Sequence, residues 1–174
     1  MAGNTELVEY GIFQDESNIH AHVAVLAKTV YVFPTHEVVE LIRTGKYREV
    51  SVETDGIITA MGYLIPINHV PHCQAVRIPE NVFRGCRFSE GDSAGLKGDK
   101  AVRVVKWLMG AGKFPIWLRP EIIDDIQMQI SGTDIIVGCR ARVQVKCDYR
   151  AGNGNGCTGN LFIQVAECNP QGVH

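Results

Sequence analysis

The chain has 174 residues, of which 45% are hydrophobic and 21% are charged, and its formal net charge is -2. This length supports one sizeable core or two closely packed halves, and the composition excludes the disordered and collagen-like classes. The small negative charge excludes a global positive field, so any nucleic-acid surface must be a local basic patch.

The first residues contain neither the basic segment nor the apolar segment that begins a secretory signal. No later apolar run reaches the length of a membrane span. Six cysteines are present, and without secretion we expect them to be reduced thiols. The sequence therefore predicts a cytoplasmic protein that has no membrane partner.

The first predicted elements are a strand and a short helix. Residues 22–33 are rich in Val, Leu and Tyr, which predicts a strand that Pro34 ends. Thr35 suits the N-cap of the helix that follows, and Gly45 suits the C′ position after it.

Further strands are predicted beyond this helix. Residues 50–66 predict one or two strands with a turn at Asp55-Gly56, a pair that is typical of tight hairpins. Residues 74–78 predict one more strand. The first half is therefore expected to be rich in strands.

Residues 89–98 are poor in apolar side chains and rich in glycine, so we place the boundary between the two halves there. From Asp99 onwards a helix is predicted, because apolar residues recur at helical spacing on one face. These residues are Ala101, Val104, Val105 and Leu108. Gly110 is expected to end the helix.

The rest of the chain is predicted to add one helix and three strands. The helix covers residues 121–129, and the strands cover residues 133–137, 141–149 and 161–167, with Gly138 in a tight connection. The order of elements predicts an α/β fold of the α+β kind, with a central mixed β-sheet flanked by helices. Residues 1–96 would form a strand-rich module that completes the sheet, grips a substrate or forms a dimer, and residues 97–174 would form the core.

The strand that contains residues 142–148 has two chemically different faces. Because side chains alternate along a strand, Arg142, Gln144, Lys146 and Asp148 share one face, while the apolar residues between them share the other. A solvated surface is one interpretation of the polar face, and a functional site is the second.

A carboxylate on the preceding strand favours the functional interpretation. Asp134 stands directly before the apolar run of that strand, and a hairpin would bring it close to Gln144 and Lys146. Hydrolysis of a phosphodiester requires oxygen donors that hold a divalent cation and a positive side chain that offsets charge on the phosphate.

The run Gly132-Thr-Asp-Ile-Ile-Val, followed by Val143-Gln-Val-Lys146, resembles the restriction-endonuclease-like, or PD-(D/E)xK, nucleases. It is closest in pattern to the Mrr-like branch, in which Gln replaces the usual Glu. The resemblance covers about residues 97–167. It implies a restriction-endonuclease-like core and a metal-dependent endonuclease that acts on DNA.

The resemblance also implies roles for individual residues. Asp134 would be the central metal-binding aspartate, Gln144 the second ligand through its amide oxygen, and the carbonyl of Val145 would complete a site for Mg²⁺ or Mn²⁺. Lys146 would be the catalytic lysine. Asp99 would lie close to the metal, although a carboxylate that interacts with the helix dipole is the commoner interpretation of Asp99.

Basic and polar residues around this site are candidates for DNA contacts. Lys97, Lys100 and Arg103 run along the first core helix, where they would contact the phosphate backbone or form a solvated face. Asp148 and Arg150 lead into the glycine-rich loop at residues 151–160. The backbone amides of that loop could approach phosphates, and a plain hairpin loop is the alternative.

Two other functions stay open at this point. Because Gln144 is neutral, the same fold could serve as a catalytically inactive nucleic-acid-binding or assembly protein. A zinc-stabilised structural protein is the third hypothesis, since His69, His72, Cys73 and Cys86 are potential zinc ligands. A homodimer would suit an enzyme that cuts both strands of a duplex, because a two-fold pair presents two sites.

Overall fold

The computed structural model describes residues 5–8, 12, 18–115, 135–137 and 141–170. This part of the chain forms nine strands, three α-helices and one short 3₁₀ helix at Ile67–His69. In chain order the elements are β1 (Thr5–Val8), β2 (Ile19–Ala24), β3 (Thr29–Pro34), α1 (Thr35–Arg43), β4 (Glu49–Thr54), β5 (Ile57–Pro66), β6 (Gln74–Arg77), α2 (Glu80–Cys86), α3 (Ala94–Gly110), β7 (Ile135–Val137), β8 (Ala141–Cys147) and β9 (Asn160–Pro170). The predicted helix at residues 121–129 lies outside the described residues.

The strands form two sheets. One is a four-stranded antiparallel sheet with the order β1-β9-β5-β4, and the other is a five-stranded mixed sheet with the order β6-β3-β2-β8-β7. In the mixed sheet β2 and β8 run parallel, whereas the other neighbours run antiparallel. The predicted α+β fold with a central mixed sheet is thereby confirmed.

The prediction of one strand over residues 22–33 is wrong, because the chain reverses at residues 25–28 and forms β2 and β3 as an antiparallel pair. The turn contains no Gly, Pro, Asn or Asp, the residues that usually mark a reversal. Lys28 adopts the left-handed conformation, with φ of 49°, that closes the turn. Apolar residues therefore continue through the reversal and hide it from the sequence.

The helix α1 is confirmed, but its predicted N-cap is wrong. Pro34 occupies the cap position without a side-chain hydrogen bond, and the hydroxyl of Thr35 bonds to His20 instead. Gly45 follows the helix with φ of +73°, which confirms its predicted C′ role.

The hairpin prediction for residues 50–66 is also confirmed. Strands β4 and β5 pair antiparallel, and the turn between them has φ of 53° at Asp55 and 77° at Gly56. Two successive residues with positive φ define the turn type that favours Asp-Gly.

The helix α3 begins five residues earlier than the sequence predicts. Ser93 is its N-cap, and the Ser93 hydroxyl accepts a hydrogen bond from the N–H of Leu96 at 3.1 Å. Asp99 therefore lies inside the helix rather than at its start, because the glycine-rich stretch 89–98 contains the first turn. The predicted apolar stripe is confirmed, since Ala101, Val104, Val105 and Leu108 are all fully buried.

Each face of the mixed sheet has its own core. On one face, α3 packs over alternate residues of the central strands, among them Val32, Val143 and Val145. The other face carries Tyr31 and Phe33, which pack with residues of β5, β9 and α1. Strands from both sides of residue 96 pair in both sheets, because β8 pairs with β2 and β9 with β1 and β5.

Within the described ranges, no helix is both long enough and apolar enough to cross a membrane.

Candidate functional site

The candidate site lies on two adjacent interior strands of the mixed sheet, β2 and β8. In the parallel register of β2 and β8, His20 stands opposite Gln144 and His22 stands opposite Lys146. Both pairs belong to the face that carries Phe33, opposite to the face covered by α3. Two imidazoles, an amide and an ammonium thus come from neighbouring positions of one surface.

The site is polar but largely enclosed. His20 is 3% exposed, His22 2% and Gln144 6%, whereas Lys146 is exposed. Side chains of β8 alternate as predicted, since Val143 and Val145 are buried in the core beneath α3. The predicted polar face is therefore solvated at Lys146 but enclosed at Gln144. A surface that changes from enclosed to solvated between these two residues suits a site that excludes water around a reacting group.

Phe33 holds both histidine rings. Its ring stacks on that of His20 with centroids 5.6 Å apart, and it lies tilted against that of His22 at 5.2 Å. Because Phe33 is fully buried and stands opposite His20 in the β2–β3 register, the imidazoles have little freedom to rotate.

His20 also has a polar anchor. Its Nδ1 atom lies 2.8 Å from the hydroxyl oxygen of Thr35, the first residue of α1. A buried imidazole nitrogen that is hydrogen-bonded in this way keeps one tautomer and one ring orientation.

Asp148 lies at the end of β8 and faces His22. Its Oδ2 atom is 3.9 Å from Nδ1 of His22 and accepts a hydrogen bond from the N–H of Phe162 at 3.2 Å. Burial by itself raises the pKa of the Asp148 carboxyl, but His22 and the backbone N–H groups of Phe162 and Ala151 outweigh burial and lower the pKa below its ordinary value. Asp148 is thus held as a carboxylate.

The predicted metal ligands are partly described. Asp134 lies outside the described residues, and Ile135, which follows it, pairs with Val143 of β8. The amide nitrogen Nε2 of Gln144 lies 3.5 Å from the carbonyl oxygen of Val145, so the NH₂ group of Gln144, and not its amide oxygen, faces that carbonyl. Both groups carry an oxygen of the kind that Mg²⁺ prefers, but this contact does not bring the two oxygens together.

Asp99 is not brought together with Gln144 and Lys146. It is an exposed residue of α3, and α3 packs on the opposite face of the mixed sheet. Arg103 is also exposed on α3, while Lys97 lies with its ammonium 4.8 Å from the ring centre of Tyr149. Lys97 is therefore next to the end of β8, close to the start of the glycine-rich loop.

The structure corrects the prediction that Lys100 contacts DNA. It is 8% exposed, and its ammonium donates hydrogen bonds to the carbonyl of Arg87 and to Asp92 Oδ2, both at 2.7 Å. Because its ammonium is paired with Arg87 and Asp92, Lys100 connects α3 to the segment between α2 and α3. It is therefore not directed toward a phosphate.

The glycine-rich loop is a folded connection. Gly159 donates a backbone hydrogen bond to Gly152 at 2.8 Å, and the N–H of Asn153 donates to the hydroxyl of Tyr31 at 3.3 Å. Arg150 is exposed at the start of the loop, so it is available to solvent beside Asp148.

The zinc hypothesis does not agree with the positions of its residues. Cys73 packs with the core on the Phe33 face of the mixed sheet, whereas Cys86 packs with the core beneath α3. His69 bonds to the hydroxyl of Tyr47 at 2.8 Å, and His72 contacts Glu37. Across the part of the chain that the structure describes, no three His, Cys, Asp or Glu residues are placed to hold a metal ion.

Sequence reasoning missed His20 and His22. Their signal was the alternation Ile-His-Ala-His-Val-Ala at residues 19–24, which puts both imidazoles on one face of a strand. The prediction of a strand beginning at residue 22 cut this pattern in half.

No protein-family model, no curated protein and no solved structure matches this chain.

Proposed function

We propose that this chain is a metal-dependent nuclease that hydrolyses phosphodiester bonds in DNA. The observation that supports the proposal is the position of Gln144 and Lys146 on the interior strand β8, with an enclosed amide beside an exposed lysine. The spacing of these residues, with Asp134 before the neighbouring strand, is the pattern that resembles the PD-(D/E)xK nucleases.

Asp134, Gln144 and the carbonyl of Val145 would hold Mg²⁺ or Mn²⁺. When bound, such an ion polarises a phosphate and lowers the pKa of water. Ile135 pairs with Val143, and consecutive Cα atoms are about 3.8 Å apart. The proposal therefore requires the carboxylate of Asp134 to lie close to Gln144, the residue that follows Val143 in β8.

Lys146 would act on the scissile phosphate directly. Its ammonium is exposed, so it can reach a phosphate oxygen and offset the negative charge that builds up as water attacks. The enclosed residues His20, His22 and Gln144 on the same face keep bulk water away from one side of Lys146, which strengthens this electrostatic effect.

Exposed basic residues would bind the DNA backbone. Arg150 follows Asp148 at the end of β8, and Lys97 lies beside Tyr149 at the same end. Such contacts fix the position of a duplex without reading its sequence.

We place this activity in the cytoplasm. A homodimer would cut both strands of a duplex, because a two-fold pair presents two sites.

The first test is cleavage of labelled single-stranded and double-stranded DNA by the full chain with Mg²⁺ or Mn²⁺. Asp134→Ala and Lys146→Ala should each reduce the cleavage rate by at least about a hundredfold. Lys46→Ala removes an exposed lysine from the segment between α1 and β4, so it should leave the rate unchanged. Cleavage that persists in both active-site variants would rule out the proposed site.

A catalytically inactive nucleic-acid-binding or assembly protein is the second candidate. The observation that favours it is the neutral, 6% exposed Gln144, which supplies no charge for a divalent ion. It predicts that the wild-type chain binds DNA without cutting it and that calorimetry detects no Mg²⁺ or Mn²⁺ binding. Under the nuclease proposal, wild type binds the metal and Asp134→Ala does not.

A further inference from the structure

An exposed tryptophan lies near the end of α3. Trp107 is 39% exposed, although Val104, Val105 and Leu108 of the same turns are fully buried in the core that α3 forms with the mixed sheet. The indole therefore belongs to the outer surface of α3. This surface is on the opposite side of the mixed sheet from the proposed nuclease site, because that site lies on the face that carries Phe33.

Two exposed cations flank the indole. Arg103 precedes Trp107 by four residues, so the two side chains are neighbours on one side of the helix. Lys113 follows the helix, and its ammonium lies 5.8 Å from the centre of the Trp107 ring. Among the residues that the structure describes, neither Arg103 nor Lys113 forms an ion pair, whereas Lys100 does. Both positive charges are thus open to an anionic ligand.

The end of the helix fixes the position of Lys113. The N–H of Lys113 donates to the carbonyl of Leu108 at 2.9 Å, and the N–H of Gly112 donates to the carbonyl of Met109 at 3.0 Å. Gly112 has φ of +68°, as the Schellman motif at a helix end requires. This motif turns the chain back against the last turn of α3, so the backbone holds the cation beside the indole.

We infer that this outer surface of α3 binds a single-stranded nucleic acid, with one base stacked on Trp107 and with Arg103 and Lys113 on the neighbouring phosphates. Surfaces that bind single strands combine exposed aromatic rings with basic side chains in this way. The charges are complementary, since a phosphate chain is anionic and both flanking side chains are cationic. Asp99, an exposed residue one turn before Arg103, limits the positive surface on that side.

The contact between Lys113 and Trp107 leaves room for this exchange. A distance of 5.8 Å is near the upper limit of a cation–π interaction, so the contact is weak. A base can take the place of the ammonium on the ring while the ammonium moves to the phosphate of the same nucleotide. Bases of a duplex are already stacked on each other, so the indole selects single strands.

The first measurement is fluorescence anisotropy of a labelled oligothymidylate with the full chain in EDTA, where no metal-dependent cleavage takes place. Trp107→Leu keeps apolar bulk but removes the aromatic face, and it should weaken binding about tenfold. Leu96→Ala is the matched control, because Leu96 is an exposed apolar residue of α3 that lies about 16 Å from Trp107 along the helix. It should leave the affinity within about twofold of wild type, as should Trp107→Leu on a duplex of the same length.

The salt dependence tests the two cations separately. Arg103→Gln and Lys113→Gln should each reduce the slope of log affinity against log salt concentration by about 0.7, the value for one phosphate contact on a single strand. Lys46→Gln removes an exposed charge from the segment between α1 and β4, so it should leave the slope unchanged. Thermal unfolding checks that each variant is folded.

Oligouridylate in place of oligothymidylate distinguishes the two sources of such a strand. Tighter binding of either one, with the loss in Trp107→Leu, supports the inference and assigns the surface to RNA or DNA. Wild-type protein that binds neither oligonucleotide at low salt, or a Trp107→Leu variant with undiminished affinity, would overturn it. A dimer that Trp107→Leu dissociates in sedimentation, with oligonucleotide affinity unchanged, would assign the surface to a second copy instead. None of these outcomes decides the nuclease proposal, which the cleavage assay with Asp134→Ala tests separately.

Discussion

The Nδ1 atom of His22 lies 3.9 Å from the Oδ2 atom of Asp148, which joins the buried middle of β2 to the end of β8. The same carboxylate accepts the N–H of Phe162 in β9, the strand that pairs in the other sheet. Asp148 therefore connects three strands and both sheets at one end of the candidate site.

Substitution of Asp148 should make stability depend on pH in a defined direction. The folded-state pKa of Asp148 lies below the unfolded value of about 3.9, so its contribution is present above that value and is lost as pH falls through the folded pKa. Asp148→Asn should cost about 1–3 kcal/mol of unfolding free energy at pH 7. Urea denaturation from pH 7 to pH 3 should show the difference shrinking as the medium becomes acidic.

Asp99→Asn, at an exposed helix position, is the control for that series and should stay within about 0.5 kcal/mol of wild type. A cost of Asp148→Asn that is the same at every pH would contradict the proposed charge interaction.

Two cysteines should resist alkylation in the native protein. Burial, and then the charge of Glu37, raises the pKa of Cys73 to about 12, and burial raises the pKa of Cys147 to about 11. Because the thiolate is the nucleophile, both should react with iodoacetamide at pH 8 at least about tenfold more slowly than Cys157 in the glycine-rich loop. Peptide mapping by mass spectrometry gives the rates, and urea should abolish the difference. Equal alkylation rates of Cys73, Cys147 and Cys157 in the native state would contradict the raised pKa of Cys73 and Cys147.

Two glycines should respond to alanine in opposite ways. Gly152 has φ of +93°, and a Cβ atom there would lie 2.6 Å from the hydroxyl oxygen of Tyr31. Gly152→Ala should therefore lower the free energy of unfolding by about 2 kcal/mol or more. Gly98 lies inside α3, and a Cβ atom there would meet no neighbouring atom within 4 Å. Gly98→Ala should raise stability by up to about 1 kcal/mol, which the same urea titration would detect.

Removal of the Lys100 charge should destabilise the packing of α3. Lys100→Met keeps the apolar stem but leaves Asp92 and the carbonyl of Arg87 without the ammonium. We expect calorimetry to show a melting temperature lower by roughly 4–8 °C. Lys46→Met, at an exposed position, should shift it by no more than about 2 °C. An unchanged melting temperature in Lys100→Met would mean that the ion pair contributes nothing to stability.

Local patterns predicted several elements correctly. The stripe from Ala101 to Leu108 lies in α3, the Asp55-Gly56 pair turns the β4–β5 hairpin, and Gly45 ends α1. Each of these signals depends on residues only a few positions apart, because helical periodicity and turn conformation are set by the neighbouring backbone. The reversal at residues 25–28 was missed because its residues carry no turn signal.

The sequence by itself determined the alternation of polar and apolar residues along β8, and with it the candidacy of Gln144 and Lys146, because side chains alternate in any extended strand. Only the tertiary structure decided that β2 is the parallel neighbour of β8, which brings His20 and His22 beside those two residues. It also decided that Lys100 is paired internally and that Cys73 and Cys86 belong to different cores. These outcomes depend on which segments, far apart in the sequence, pack together. Residue spacing and composition describe only local patterns, so they do not predict that packing.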